Sequence, residues 1–182
     1  CKWFSVLDLA SGFWQIKLTP QAREMSAFIT PSGLYEFNVM PFGMMNAPAT
    51  FQHAMNAIFA YMMAFDTCYI DDLNIHSKNF KDHLEHLKKT LMRLKEYGLQ
   101  AKISKCRFGY AETKYVGYIV GKNGIQTNAE KIETIMKMKD PENRKEVQSF
   151  LGSFGYYQKF IWHYTDIVRP LSQLVAKEVL WT

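Results

Sequence analysis

Two adjacent acidic residues, Asp71 and Asp72, stand between two short strand-like runs, and this arrangement constrains the fold more than any other feature of the sequence. Residues 67–70 precede the pair and residues 73–76 follow it. Two short runs that favour strand, separated by a turn, predict a β-hairpin that carries both carboxylates at its tip. Asp is disfavoured in strands and is rarely buried without a partner, so we expect a compensating positive charge nearby.

A third carboxylate, Asp8, lies in another apolar strand, between Leu7 and Leu9. The simplest compensation for all three acids is a hard divalent cation, because Mg²⁺ prefers carboxylate oxygens and completes its shell with water and substrate phosphates. Three such carboxylates predict phosphoryl or nucleotidyl transfer. Taken singly, each acid has an ordinary explanation: an Asp pair is most often a plain turn, and Asp8 could pair with Arg23 or a lysine.

The remaining pattern predicts an α+β fold in which strands dominate the first part. Apolar residues at three- and four-residue steps predict helices over residues 47–65, begun by Pro48, and over residues 79–97, ended by Gly98. Turn residues separate the short runs that favour strands. These runs are residues 4–9, 13–18, 25–30, 35–39, 105–108 and 114–120.

The character of the chain changes at residues 121–124, where we expect a domain boundary. Beyond it, Thr127 with Glu130 and Asn143 with Glu146 have the spacing of capping boxes, and each pair precedes a helical apolar stripe. A third short helix is expected from Thr165. The sequence therefore predicts one domain over residues 1–121 and a small helical domain over residues 122–182.

Composition indicates a globular protein, since 48% of the 182 residues are hydrophobic and only 21% are charged. The chain has no apolar run of about 18 residues, so we expect no membrane span. It also lacks an initiator Met and a signal peptide, from which we expect a piece of a longer intracellular protein. Three cysteines without paired spacing argue against a disulfide framework.

Positive charge is concentrated in one segment, residues 78–107, which carries nine Lys or Arg against three acids. Much of this charge lies on the predicted helix over residues 79–97, opposite its leucine stripe. Such a face is either ordinary solvated surface or a footprint for phosphates. The candidate phosphate contacts are Lys88, Lys89 and Arg93.

Two histidines of the same helix, His83 and His86, stand three residues apart. Such a pair can bind a metal ion, but no third and fourth ligand lies at suitable spacing. We therefore expect both histidines on a solvated face of the helix.

Several segments together resemble one known family. Tyr69-Ile70-Asp71-Asp72-Leu73 matches the YxDD motif of reverse transcriptases, and residues 7–16 (LDLASGFWQI) resemble the strand that bears the first catalytic Asp in gypsy-type enzymes. The resemblance continues through residues 40–43 and 46–52 into residues 105–108 and 115–118, and then through residues 150–152 and 156–161. The chain thus resembles, over nearly its whole length, the palm and thumb of the reverse transcriptase in a gypsy-type LTR retrotransposon polyprotein.

This resemblance implies an α+β polymerase palm, an antiparallel sheet backed by helices with part of the fingers, over residues 1–121. A helical thumb would follow over residues 122–182. The implied activity is that of an RNA-directed DNA polymerase, which adds deoxynucleotides to a primer 3′-hydroxyl by two-metal-ion nucleotidyl transfer. Asp8 and Asp71, supported by Asp72, would hold two Mg²⁺ ions, for which Mn²⁺ could substitute.

The resemblance also implies roles for residues around these acids. Phe13 occupies the position of the family's steric gate, which would crowd a ribose 2′-hydroxyl, although an ordinary core Phe is the alternative. Phe42 would pack under the incoming sugar and base. Gln52 would contact the template strand.

A further segment resembles the primer grip of the family and comprises Tyr115, Val116 and Gly117. In that role Gly117 would let the backbone approach the primer phosphates. Without the resemblance, the same residues would be taken for part of an ordinary strand over residues 114–120.

The implied partners are an RNA or DNA template with its primer, deoxynucleoside triphosphates, and the ribonuclease H and integrase parts of a parent polyprotein. A cytoplasmic particle of the retroelement would be the location. The upstream fingers strands lie outside the sequence, so we expect the chain to be inactive by itself.

Three departures from the family pattern, Asn74, His76 and Gln158, suggest a diverged or defective copy. Two alternatives therefore stay open beside an active retrotransposon enzyme. One is the polymerase of a pararetrovirus, which shares these motifs. The other is a decayed or host-adopted copy that binds nucleic acid without catalysis.

Overall fold

The computed structural model describes residues 1–176, which form two compact units. The first unit comprises Cys1–Ile125, and the second begins at Gln126. Helices and antiparallel sheets occur together in the first unit, which confirms the α+β class expected from the sequence. None of the helices in this described range is long and apolar enough to cross a membrane.

The first unit contains nine strands and three helices in its described part, with the last strand running into the second unit. In chain order they are β1 Trp3–Asp8, α1 Pro20–Met25, β2 Phe28–Thr30, β3 Gly33–Tyr35, α2 Ala47–Ile58, β4 Asp66–Tyr69, β5 Asp72–Ser77, α3 Phe80–Glu96, β6 Arg107–Tyr110, β7 Glu112–Tyr115, β8 Tyr118–Gly121 and β9 Gly124–Thr127. The helices that follow are α4 Ala129–Met136, α5 Arg144–Gly155 and α6 Tyr164–Leu174.

The sheet at the centre of the first unit has the strand order β4-β5-β1-β6. Strand β1 pairs antiparallel with both β5 and β6, so it is covered on both edges. Its Leu7 is buried together with Leu73 and Ile75 of β5, and these side chains pack into the same core as Phe51 and Met55 of α2. The hairpin formed by β4 and β5 therefore pairs with a strand whose four central residues are buried.

Helix α2 is shorter than the sequence pattern predicts. Pro48 lies in its first turn, and its buried face follows the expected steps, with Phe51, Met55 and Ile58 in the core. The α-helix ends at Ile58 rather than at residue 65, and a short 3-10 helix, Ala60–Met62, follows. Arg93 provides a physical reason, because its Nε donates a hydrogen bond of 2.8 Å to the carbonyl of Ile58 and so satisfies an orphan group of the helix end.

Helix α3 lies where the sequence predicts a helix, and it begins after Asn79, whose side chain accepts a hydrogen bond from the backbone N–H of Asp82. Its most buried residues are His83, Thr90 and Leu94, whereas Leu84 of the predicted leucine stripe is half exposed. The helix thus turns a partly polar face toward the sheet. Apolar periodicity alone could not show this, because partners for the polar groups come from distant strands.

The prediction that both histidines lie on a solvated face of the helix is wrong for His83. Its side chain is buried, with Nε2 lying 2.7 Å from Ser5 Oγ and Nδ1 lying 3.0 Å from Ser77 Oγ. His86 is half-buried, with its Nδ1 2.8 Å from the same Ser77 hydroxyl and its ring stacked on Phe65. Serine hydroxyls on β1 and β5 satisfy these ring nitrogens, which is why histidines are tolerated beneath the sheet.

Three predicted strands are wrong in the structure, and the first is residues 35–39, of which only Tyr35 lies in a strand, at the end of β3. Residues 13–18 do not form a strand, because a 3-10 helix, Gly12–Gln15, follows Ser11 in a left-handed conformation. Residues 114–120 are split into β7 and β8 by a two-residue turn at Val116 and Gly117, both of which have positive φ. Apolar residues favoured a strand at residues 13–18 and 114–120, and residues with positive φ precede the first run and interrupt the second.

The second unit is helical in its described part, apart from the end of β9. Asn143 caps α5 as predicted. Its Oδ1 accepts a hydrogen bond from the Glu146 N–H at 3.0 Å, and its Nδ2 donates one to the Glu146 carboxylate at 2.7 Å. The cap of α4 is Asn128 rather than Thr127. Helix α6 begins at Tyr164, one residue before the expected Thr165. Residues 177–182 of the predicted helical domain lie outside the described residues.

Candidate active site

The three predicted acids meet where β5 leaves its hairpin turn and runs beside β1. Asp72 is the first residue of β5, and it lies directly opposite Asp8, the last residue of β1. Asp71 occupies the turn just before, and its carbonyl accepts a hydrogen bond of 2.8 Å from the backbone N–H of Leu9. The structure therefore brings together residues that are 63 positions apart in the chain.

The turn that carries Asp71 is made by an unusual backbone conformation. Ile70 has φ of 51°, a left-handed conformation that a β-branched side chain adopts only at a cost of about 1–3 kcal/mol. The side chain of Gln52 in α2 forms two hydrogen bonds to this turn. The Ile70 N–H donates to Gln52 Oε1 at 2.7 Å, and Gln52 Nε2 donates to the carbonyl of Cys68 at 3.1 Å. The local strain is thus compensated by long-range contacts.

The charges of the three acids act on one another. Burial raises the pKa of Asp71 above its usual range, and the nearby charges of Asp8 and Asp72 raise it further, while Lys105 acts in the opposite direction. Burial also raises the pKa of Asp72, again with a contribution from Asp8. Raised carboxylate pKa values beside other carboxylates indicate a local excess of negative charge that a cation would relieve.

Two further contacts define the charge balance. Lys105 Nζ lies 3.2 Å from Asp8 Oδ2 and is the cation that the protein itself supplies. Asp71 Oδ1 is buried and has no hydrogen-bond partner within the described part of the chain. A buried carboxylate oxygen without a partner is costly, and it is the kind of ligand that Mg²⁺ prefers.

The carboxylate oxygens of the three acids are therefore suitable ligands for a hard divalent cation. Their side chains, however, do not converge into a complete metal-binding site. Among residues 1–176, no group of three or more His, Cys, Asp or Glu side chains is arranged to hold a metal ion. One of the three carboxylates, that of Asp8, forms an ion pair with Lys105 instead. Substrate-linked sites for Mg²⁺ commonly use only one or two carboxylates and take other ligands from phosphates and water.

The two predicted nucleotide-binding aromatics are in contact. The ring centroids of Phe13 and Phe42 lie 5.2 Å apart, and Phe13 also meets Phe51 at 5.4 Å. Phe13 is only 8% exposed, whereas Phe42 is 57% exposed. Phe13 is therefore a buried ring that contacts Phe51 of α2 in the core and Phe42 at the surface. Of the two predicted nucleotide-binding rings, Phe42 is the one exposed to solvent.

The predicted primer-grip residues form the tip of the hairpin between β7 and β8. Val116 has φ of 44° and Gly117 of 71°, which fits a tight two-residue turn between the paired residues Tyr115 and Tyr118. The Tyr115 hydroxyl donates a hydrogen bond of 3.0 Å to the carbonyl of Thr67 in β4. Burial raises the pKa of Tyr115, as do the neighbouring Cys68 and Asp72. This hairpin is therefore tied to the strand that leads to Asp71.

The three predicted phosphate contacts on α3 separate into two kinds. Lys88 and Lys89 are exposed. Arg93 is half-buried, because it donates to the Ile58 carbonyl, pairs with Glu96 at 2.9 Å and lies over the Tyr97 ring. Arg93 therefore has a role in packing, because its guanidinium joins α3 to the end of α2.

Sequence reasoning missed the structural roles of two residues beside Asp71. Gly12 is buried directly against Asp71, where any side chain would collide with the carboxylate. Lys105 had been grouped with the basic segment, but it pairs with Asp8 across 97 positions. Both residues lie within segments that resemble the reverse transcriptase family, and that resemblance was the available signal for them.

Comparison with known proteins gives a consistent result. Residues 1–153 match the family described as "Reverse transcriptase (RNA-dependent DNA polymerase)". The Retrovirus-related Pol polyprotein from transposon 297 of Drosophila melanogaster is 38% identical over 178 residues, which is 97% of this chain and 17% of that protein. The Transposon Tf2-3 polyprotein of Schizosaccharomyces pombe is 37% identical over 98% of this chain and 13% of its own length.

Solved structures agree with the sequence comparison. A foamy viral protease-reverse transcriptase in complex with double-stranded DNA superposes with a TM-score of 0.87 at 26% identity, covering 96% of this chain and 31% of that one. The same viral protein in complex with an RNA/DNA hybrid gives a TM-score of 0.85, covering 100% of this chain and 25% of that one. The chain spans less than a fifth of the two polyproteins it resembles. The match over residues 1–153, together with these relatives, places the chain in the reverse transcriptase family.

Proposed function

We propose that this chain is the polymerase part of an RNA-directed DNA polymerase that extends a primer on an RNA or DNA template. The observation that carries the proposal is the placement of Asp8 opposite Asp72 and beside Asp71 at the end of β1, with a buried oxygen of Asp71 left without a hydrogen-bond partner in the described part of the chain. Family membership supports the same chemistry. The activity is nucleotidyl transfer of a deoxynucleotide onto the primer 3′-hydroxyl.

The three acids are proposed as ligands for two Mg²⁺ ions, with Mn²⁺ as a substitute. When bound, such ions neutralise phosphate charge and increase the acidity of the attacking hydroxyl. Asp71 Oδ1 is available for this role, and Asp72 lies beside it with a raised pKa. Asp8 would have to exchange its ion pair with Lys105 for the ion.

The surrounding residues are proposed to bind and orient the substrates. Phe42 would form the surface under the incoming sugar and base, and Phe13 behind it would exclude a 2′-hydroxyl. The hairpin tip at Val116 and Gly117 would guide the primer strand, supported by the bond from Tyr115 to β4. The two foamy viral complexes, with double-stranded DNA and with an RNA/DNA hybrid, support a template-primer duplex as the partner.

We also propose how the chain fits into a larger protein. Residues 1–121 would form the palm with part of the fingers, and residues 122–182 the thumb; the change of unit after Ile125 supports this division. Ribonuclease H and integrase parts would lie elsewhere in the parent polyprotein, which would act in a cytoplasmic particle. The large size of the polyprotein relatives supports this arrangement.

The test is primer extension on poly(rA)/oligo(dT) by the natural full-length protein that contains this chain. We expect extension with Mg²⁺ or Mn²⁺ and none after chelation. Asp8→Asn and Asp71→Asn should each lower kcat by several orders of magnitude and leave template-primer affinity nearly unchanged. Asp140→Asn is the matched control, because Asp140 lies in the α4–α5 connection of the second unit and should have no effect.

The outcomes separate the proposed enzyme from a copy without catalysis. Tight template-primer binding without any extension would favour a decayed copy that binds nucleic acid without catalysis. Extension that survives both Asp8→Asn and Asp71→Asn would contradict the two-metal assignment.

A further inference from the structure

We propose that Gln52 is a positioning residue for Asp71, which it places by holding Ile70 in a left-handed conformation. This role differs from the template contact expected from family resemblance. It rests on the proposed function, because its consequence is the correct placement of a catalytic carboxylate. It also makes a statement about the backbone that can be tested without catalysis.

The first observation is that the Gln52 amide is fully engaged. Its Oε1 accepts the Ile70 N–H at 2.7 Å, and its Nε2 donates both to the Cys68 carbonyl at 3.1 Å and to Asn56 Oδ1 at 2.8 Å. An amide nitrogen has two hydrogens, so both donors are used. The Ile70 N–H and the Cys68 carbonyl fix which end of the amide faces the hairpin, since the reversed orientation would oppose two N–H groups at Ile70 and two oxygens at Cys68.

The second observation concerns helix α2, which carries Gln52 and packs into the core. Helix α2 buries Phe51, next to Gln52 in sequence, and Met55, which lies one turn further along. Both side chains are fully buried in the core that also packs under β1 and β5. Gln52 is therefore placed relative to the sheet by the core rather than by its own exposed surroundings.

The third observation concerns the conformation maintained by the hydrogen bonds of Gln52 to Ile70 and Cys68, which we call the Gln52 clamp. Ile70 has a φ of 51°, which a β-branched residue rarely adopts without support. The residue that follows is Asp71, whose carbonyl docks on the Leu9 N–H and whose Oδ1 is directed into the buried space beside Gly12. If Ile70 relaxed to a negative φ, the peptide plane would rotate and the Asp71 side chain would leave this position.

The engaged amide also argues against base or backbone contact with a template through Gln52. Neither Nε2 hydrogen remains free, so a template atom could only approach the remaining lone pair of Oε1. A nucleic-acid donor at that lone pair would compete with the Ile70 N–H. A template contact would therefore weaken the hydrogen bonds that keep Asp71 in place.

The central experiment compares Gln52→Leu with the wild type in the natural full-length protein. Leucine keeps much of the side-chain volume and removes both hydrogen-bonding ends. A small displacement of a catalytic group costs on the order of 10²-fold in rate. We expect kcat to fall by about this factor, with the KM for deoxynucleotides and the Kd for template-primer nearly unchanged. His53→Ala, at an exposed position next to Gln52 on the same helix, is the matched control and should keep the wild-type kcat.

A rescue variant distinguishes positioning from a general loss of stability. Asn adopts the left-handed conformation at lower cost than a β-branched residue. The double variant Gln52→Leu with Ile70→Asn should therefore recover at least about tenfold of the lost kcat. Ile70→Asn alone, measured in parallel, shows what loss of the Ile70 side chain costs while the hydrogen bonds of Gln52 are present, and the recovery in the double variant is judged against it.

Hydrogen exchange at the Ile70 amide tests the clamp independently of catalysis. Removing the Oε1 acceptor should accelerate exchange of this amide by at least about tenfold and leave the core amides of β1 unchanged. If Gln52→Leu proves too unstable to study, Gln52→Glu keeps the acceptor and should preserve the slow exchange at Ile70.

Three results would overturn the proposal. These are an unchanged kcat in Gln52→Leu, a raised Kd for template-primer with normal kcat, and unchanged exchange at Ile70. If the wild-type protein does not extend primers, the proposed function fails, and the exchange measurement still decides whether Gln52 holds Ile70.

Discussion

Gly12 lies against the carboxylate of Asp71 so closely that a Cβ atom built on Gly12 would overlap Asp71 Oδ1 and stand 2.9 Å from Phe51 Cζ. The Phe51 ring cannot move easily to make room for this Cβ atom, because the ring is fully buried in the core. The absence of a side chain at Gly12 is therefore a requirement for the position of Asp71.

We predict that Gly12→Ala displaces the Asp71 carboxylate and lowers kcat by on the order of 10²-fold or more, because a catalytic group moves by about the width of a methyl group. Primer extension with saturating substrates is the measurement. Gly152→Ala is the control, since a Cβ there meets nothing within 4 Å. Gly152 lies inside α5, so that substitution should stabilise the fold by up to about 1 kcal/mol. A Gly12→Ala enzyme with normal kcat would contradict the required placement.

The contact between Phe13 and Phe42 leads to a prediction on sugar selection. Phe13→Val should admit ribonucleotides, because the smaller side chain leaves room for a 2′-hydroxyl, while deoxynucleotide incorporation stays largely intact. The ratio of kcat/KM for the two nucleotide types measures this. Phe59→Val is the matched control: it also removes a buried ring, with a stability loss of at most about 3–5 kcal/mol, the range for Phe→Ala, but it should not alter discrimination. Unchanged discrimination in Phe13→Val would leave Phe13 as an ordinary core residue.

The basic face of α3 is predicted to bind phosphates only through its exposed lysines. Each phosphate contact adds about 0.9 to the magnitude of the slope of log affinity against log salt. Replacing Lys88 and Lys89 together by Ala should therefore lower that slope by about one to two, equally for different template sequences. A slope equal to that of the wild type would show that the face is merely solvated.

Arg93 is predicted to behave differently from these lysines. Its guanidinium donates to the Ile58 carbonyl and is only partly exposed, so Arg93→Ala should lower the free energy of unfolding by about 1–3 kcal/mol. The salt dependence of template-primer binding should stay close to that of the wild type. Denaturant unfolding and salt titration of the same variant check both statements, and a lowered slope with unchanged stability would reverse the assignment.

A buried acid outside the site, Asp66, is predicted to make stability depend on pH. Burial raises its pKa from 3.8 to about 6, while the Thr90 hydroxyl, which donates to it at 3.0 Å, acts in the opposite direction. The folded protein then keeps the proton more tightly than the unfolded chain. This contribution to stability is complete below about pH 4 and is lost as pH rises through about 6.

The difference between the two pKa values corresponds to about 3 kcal/mol. Asp66→Asn keeps an acceptor for Thr90 and carries no charge, so it should be more stable than the wild type at pH 8 by up to this amount and nearly equal to it at pH 4. Thermal unfolding at the two pH values is the measurement. Equal stability of the two proteins at pH 8 would show that burial does not raise the pKa of Asp66.

Local pattern determined much of this protein. The β4–β5 hairpin, helix α3 with its Asn79 cap, and the capping box at Asn143 follow from residues that are near one another in sequence, so spacing alone could predict them. The identity of the three acids also followed from sequence, because carboxylates in apolar strands need a compensating charge wherever the strands are placed.

Only the tertiary structure decided how these residues meet. The pairing of Asp8 with Asp72, the bond from Lys105 to Asp8 and the clamp of Gln52 on Ile70 join residues 18 to 97 positions apart. Conformations with positive φ at Ser11, Ile70 and Val116 interrupt sequences that favour strands. Such conformations are unfavourable locally, and that of Ile70 is held by Gln52 of α2, so the local pattern did not predict it. The physical reason is that propensity acts over neighbouring residues, whereas the site is built by packing between segments distant in the chain.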